Sequence, residues 1–261
     1  MGARLKVGPL VPQRRETTRR EVSINILRDD TGEYFELLTD PQRTFRIEVL
    51  DVRARDRHLL LMVAENRESG PVVIEKQKFL CGHDERSWFV AAVPGTRASN
   101  VVTAMEALKP DGVRESQARN KVKAAHRNRR KNRGFVRQGE WFFIPCPRLV
   151  VNARFILQNE PMQRSGGKAH WAEFAYRTGG ETVYVSRQYP NGLTVVQFKQ
   201  LFGDQQADRR QFRVMQRNAT VYVKGRISHP DHKTIALHVW HRVEMNTENQ
   251  SKAMRHVAFL D

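Results

Sequence analysis

In FRIEVLDVRARDRHLLLMVAE, residues 45–65, apolar and polar side chains alternate, placing Phe45, Ile47 and Val49, with Asp51, on one face of a strand. The same β pattern extends both ways. Upstream, REVSINILRDD (20–30) and EYFELLTD (33–40) are short apolar runs split by an Asp30-Thr31-Gly32 turn. Downstream, GPVVIEKQKFLCG (70–82) and SWFVAAVPG (87–95) read as two strands joined by His83-Asp84-Glu85-Arg86. The second half repeats this character. QGEWFFIPCP (138–147) is an apolar strand ended by prolines, AEFAYRT and ETVYVSR read as a hairpin around Gly179-Gly180, and ATVYVKGRIS (219–228) and KTIALHVWHRVEM (233–245) flank His229-Pro230-Asp231-His232.

Helices are few. Ser99 or Asn100 can cap a helix carrying Val101, Met105 and Leu108 on one stripe, with Pro110 past its end. A second helix is predicted from about Arg114 into the basic stretch, and a third over 193–202. These elements predict an α+β class: mainly antiparallel β hairpins with a few short helices, two β-rich units joined by a basic helical linker. The predicted division is a flexible basic arm at 1–20, an N-terminal unit at 21–112, the basic linker at 113–137 and a C-terminal unit at 138–261.

The linker gives the strongest functional signal. RESQARNKVKAAHRNRRKNRGFVR, residues 114–137, holds ten Arg and Lys against Glu115 alone. That density self-repels unless a polyanion neutralises it. The whole chain has 45 Lys and Arg against 28 Asp and Glu, a net charge of +17. Nucleic acid, DNA or RNA unresolved, is the expected partner, with Arg119, Lys121, Lys123, Arg127, Arg129, Arg130, Lys131, Arg133 and Arg137 gripping phosphates. Phe135, Trp141, Phe142 and Phe143 follow directly and offer rings on which bases could stack, although strand parity assigns at least one side of 141–143 to the core.

A second chemistry is concentrated in the HPDH turn. Two imidazoles and a carboxylate within four residues suit Zn²⁺ or Mn²⁺, so a divalent metal is the candidate cofactor. His229, Asp231 and His232 are the candidate ligands, with His170 or His83 as the third side chain from elsewhere. Strand spacing excludes His241, on the order of 30 Å away along the chain. CGHDER (81–86) could pair Cys81 with His83, or bind a cation through Asp84 and Glu85, but a buried strand cysteine before a polar turn explains it as well. RSGGK (164–168) lacks the spacing of a P-loop.

Three functions follow: a non-catalytic or accessory nucleic-acid-binding protein; a metal-dependent nuclease or hydrolase using the HPDH turn; and a structural subunit of a ribonucleoprotein or defence complex, hence a protein partner. Cys81 and Cys146 form no paired motif, residues 1–20 lack a signal-peptide apolar run, and no segment reaches the roughly 20 apolar residues of a spanning helix. The expectation is a soluble protein without membrane contact, cytoplasmic or nucleoid-associated.

Overall fold

The computed structural model describes residues 2, 4–10, 21–66, 75–95, 97–163, 168–203 and 211–251. The fold is α+β and mainly antiparallel, as the alternation predicts. Its first half is a two-layer sandwich. One layer contains β1 (Leu5–Pro9), β2 (Val22–Asp29) and β3 (Gly32–Thr39) in the order β1-β3-β2. The other is a meander of β4 (Thr44–Arg53), β5 (His58–Asn66), β6 (Glu75–Asp84) and β7 (Ser87–Ala92). Ile24, Phe35 and Leu37 meet Leu61, Val63, Phe79 and Trp88 between the layers. Fully burying a ring such as Phe79 stabilises by about 2–3 kcal/mol. The start of the GPVVIEKQKFLCG run, residues 70–74, lies outside the described residues.

Part of the predicted flexible arm is a strand. β1 pairs in parallel with β3, Leu5 opposite Phe35 and Pro9 opposite Thr39. Arg4 and Lys6 anchor it by ion pairs to Asp29, at 2.6 and 2.9 Å, which a composition-based reading of basic residues could not anticipate. The Arg14-Arg15 and Arg19-Arg20 pairs lie outside the described residues.

A bulge between Val49 and Asp51 interrupts the alternation of β4. Phe45 and Ile47 face the sandwich core, but Val49 is exposed and Leu50 packs on the other side of the meander. Asp51 then accepts a hydrogen bond from the Val101 N–H (2.8 Å), at the start of α1 (Val101–Ala107), whose N-cap is Asn100. α1 covers that second face through Val101, Ala104 and Leu108.

α2 (Asp111–Arg119) is shorter than the predicted basic helix. Lys121 adopts φ +48° immediately after it. The Val122 N–H reaches the Gln117 carbonyl and the Lys121 N–H that of Ala118, a pair of bonds that closes a helix even with Lys at the left-handed position. Residues 120–135 are therefore a loop with one 3-10 turn at Ala124–His126, and Val136 and Arg137 already belong to the next strand.

The second half is a six-stranded sheet in the order β10-β11-β15-β16-β9-β8: β8 (Val136–Gln138), β9 (Trp141–Pro145), β10 (Leu157–Met162), β11 (His170–Thr178), β15 (Thr220–Ser228) and β16 (Ile235–Met245). Among the described residues the two halves share no sheet. One junction between them is the segment after β16, where Thr247 bonds the Ala107 and Leu108 carbonyls and Ser251 bonds that of Val93.

The hairpin predicted around Gly179-Gly180 does not form. β11 pairs with β10 and β15, whereas β12 (Glu181–Val185) pairs with β13 (Leu193–Thr194) and β14 (Arg213–Arg217). The glycines instead bend a continuous ribbon: Thr178 faces Thr220 and, past the bend, Glu181 faces Arg217. β12 to β14, with α3 (Val195–Phe202), form an arm whose interior stacks Tyr184 on Phe198. Gly180 has φ +86°, and a Cβ there would stand 2.7 Å from the Arg217 carbonyl oxygen. Gly180→Val is expected to cost roughly 2–4 kcal/mol, combining backbone strain with the clash, read as a lower urea midpoint. An unchanged midpoint would show that the bend tolerates a side chain.

Candidate metal centre and cationic loop

β11 and β15 form the scaffold of the histidine cluster. Trp171 pairs with Ser228, and one step further along the same ladder stand His170 and His229. The turn after β15 returns His232 to the same place. Ring centroids lie 4.1 Å apart for His170–His229, 4.7 Å for His229–His232 and 5.5 Å for His170–His232. The three residues are 1%, 6% and 7% exposed, and one ligand atom from each falls within 4.8 Å of the others.

The ring nitrogens are short of partners. Both nitrogens of His170, Nε2 of His229 and Nδ1 of His232 are buried without a hydrogen bond among the described residues. The Asp231 backbone N–H donates to His229 Nδ1 (3.1 Å) and fixes that ring. Burial pushes His170 down to about 3, helped by the two neighbouring imidazoles. Burial likewise takes His232 down to about 4, against the pull of Asp231, and lowers His229 with His232 adding to it. All three are neutral at pH 7, the state in which imidazole ligates a metal.

Two further residues shape the cluster. Gly139, with φ +58°, opens the tight turn between β8 and β9, and a Cβ there would lie 2.8 Å from His232 Nε2 and 3.5 Å from His170 Nε2. Gln138, buried beside it, donates to the Lys233 carbonyl (2.8 Å) and holds the HPDH turn against the β8–β9 hairpin. Neither was singled out by sequence, because no periodicity shows which imidazole a turn glycine faces.

The other ligand candidates are placed elsewhere. Asp231 is held by Lys168 at 2.7 and 2.9 Å. His83 packs edge-on against Trp88. His241 bonds the Val239 carbonyl, and His238 is exposed. Cys81 is sealed in the sandwich core, where burial pushes its thiol up, so it is no nucleophile for His83. In the RSGGK segment, residues 164–167 lie outside the described residues.

The cationic loop is pinned from beneath. The Arg127 carbonyl accepts from Lys109 Nζ (3.0 Å) and Gln117 Nε2 (2.7 Å), and Ser116 Oγ donates to the Gly134 carbonyl (2.8 Å). Lys109, Ser116 and Gln117 are all buried. Asn132 Oδ1 accepts from the N–H groups of Gly134 and Phe135 at the loop's end. Anchored this way, the end of α2 and the loop turn Arg119, Lys121, Lys123, Arg127, Arg129, Lys131 and Arg133 outward, all exposed.

Arg130 and Arg137, which the sequence groups with these, are turned inward. Arg130 contacts Asp84 and lies 2.5 Å from Glu85, and Arg137 lies 3.4 Å from Asp84. Burial lowers both guanidinium groups to about 10, still cationic at neutral pH. These pairs occupy the carboxylates that CGHDER offers a cation. Glu85 also accepts from the Lys233 N–H (2.6 Å) and stands 4.0 Å from His232 Nδ1, so the loop and the histidine cluster are joined through one carboxylate.

The aromatic rings near the loop are core. Phe135 and Phe142 pack with Val113 and Ile144 under α2, and Phe143 packs on the opposite face of the sheet. Both faces of β9 are covered, so none of these three rings is open to a base. Among the described residues no helix is long and apolar enough to cross a membrane. Set beside protein-family models, curated proteins and solved structures, the chain matches none of them.

Proposed function

We propose that this protein binds nucleic acid through its phosphate backbone, using the outward cations of the loop at 119–133. The observation that carries the reading is the combination of exposure and anchoring. Among the described residues Arg119, Lys121, Lys123, Arg129, Lys131 and Arg133 have no acidic partner within ion-pair distance, on a loop whose backbone is tied to buried Lys109, Ser116 and Gln117. A backbone already ordered spares the cost of ordering the loop on meeting a polyanion, and the self-repulsion is relieved by it. The burial of Phe135, Phe142 and Phe143 favours contact with phosphates over base stacking on these rings.

Fluorescence anisotropy of nuclease-treated protein against labelled single- and double-stranded DNA and RNA tests this. With about six phosphate contacts, log affinity should fall with log salt at a slope of roughly −4 to −5. Weak binding with no salt dependence, on all four probes, would remove the loop from the function.

A second reading, a metal-dependent nuclease or hydrolase on the same surface, is favoured by the convergence of His170, His229 and His232 beside Glu85, the residue that also holds Arg130.

A further inference from the structure

We infer that His170, His229 and His232 form a mononuclear site for a borderline transition metal of the Zn²⁺ type, with a coordination position left for solvent. This does not depend on backbone binding, and it names the metal class for the site on which the second reading rests.

The first ground is unmet polarity. A buried nitrogen without a hydrogen bond is destabilising, and four such atoms meet in this one cluster. Three stacked rings cannot satisfy one another, because their faces, not their in-plane nitrogens, are opposed. A metal ion satisfies one nitrogen on each ring.

The second ground is geometry. Zn–N bonds of 2.0–2.1 Å at tetrahedral angles require roughly 3.3 Å between ligand nitrogens. Atoms within 4.8 Å of one another stand up to about 1.5 Å too far apart for this, and the stacked rings must turn about their side-chain torsions to aim one nitrogen each at a common point. Gly139 leaves clear the space beside His232 Nε2 and His170 Nε2 that any other residue would fill.

The third ground is the donor set. The neighbouring carboxylates are engaged, Asp231 by Lys168 and Glu85 by Arg130 and the Lys233 N–H. Three imidazoles, with no free carboxylate beside them among the described residues, select Zn²⁺, Co²⁺ or Ni²⁺ over Mg²⁺, Ca²⁺ and Mn²⁺. Three protein ligands with a solvent position is also the ligand count of catalytic zinc sites.

The test is metal content and spectroscopy on untagged full-length protein, stripped with chelator and reloaded with Zn²⁺ or Co²⁺ alone. About one equivalent should be retained after desalting, and Co²⁺ should give the intense visible bands of a tetrahedral nitrogen site. His170→Ala should weaken affinity by at least about a hundredfold and abolish the bands. Because His170 is deeply buried, His232→Ala in the turn serves as the second variant, with circular dichroism to show that each is folded. A folded wild type that takes up neither ion overturns the inference, as does uptake unchanged in both folded variants.

Discussion

Replacing Arg119, Lys123, Arg129 and Arg133 together with glutamate should weaken nucleic-acid binding by about 10²–10³-fold at low salt. Each side chain is exposed with no acidic partner among the described residues, so reversing it takes a cation away from a phosphate and adds a repulsion. The salt slope should flatten by about 3–4, one unit for each phosphate no longer neutralised. Stability should hardly change, because surface substitutions away from structural contacts usually stay within about 0.5 kcal/mol. Anisotropy titrations at several salt concentrations, paired with thermal melts, measure both quantities. Equal affinity in the variant and the wild type would place the binding surface elsewhere. Arg130 must be left out of such a set. Its reversal would put a carboxylate against Asp84 and Glu85, and weaker binding could then reflect an unfolded chain.

Asp84→Ala should be the most damaging single change at the junction of the loop and the cluster. It takes the carboxylate from Arg137 and one of two from Arg130, leaving cations whose side chains are largely or half buried. Breaking such a pair from one side costs about 3–5 kcal/mol when fully buried, and Arg130 is a third exposed, so about 3 kcal/mol is expected here. For a chain of this size that corresponds to a melting temperature lower by roughly 6–10 °C. Asp84→Asn keeps acceptor oxygen without charge and should fall between. Calorimetry on the two variants ranks them, and an Ala variant that melts with the wild type would show that the arginines find other partners.

The strands were legible because period two is a local property. Residues 20–40 divide at the Asp30-Thr31-Gly32 turn as the sequence indicates, whereas 45–65, which reads as one alternating run, is two strands paired through a turn at 54–57 that no Gly or Pro marks. The helix end at Arg119 was hidden, because nothing but the left-handed Lys121 stops it, and Lys is not a residue that advertises that conformation. Gly179-Gly180 signalled a turn correctly in kind but not in partner: whether a glycine pair closes a hairpin or bends a ribbon depends on β14, more than thirty residues later. At the site, HPDH revealed His229 and His232, and residue type alone suggested His170. The β11–β15 register that puts His170 beside them is a long-range fact, as is the Lys168 contact that withdraws Asp231. Arg130 and Arg137 looked like every other cation of their run. Only the position of Asp84 and Glu85, at the end of a distant strand, sets them apart.

The register through the glycine bend bears on how this architecture could arise. Thr178 and Thr220 face each other across the ladder, so the chain leaves the six-stranded sheet and returns to it at one point. The sheet is complete without what lies between. A two-residue connection there would close an ordinary hairpin and leave the packing of Phe143, Ala175, Val223 and Leu237 untouched. The arm therefore has the character of a graft, an elaboration free to vary in length and chemistry while the histidine cluster at the other end of the same two strands stays fixed.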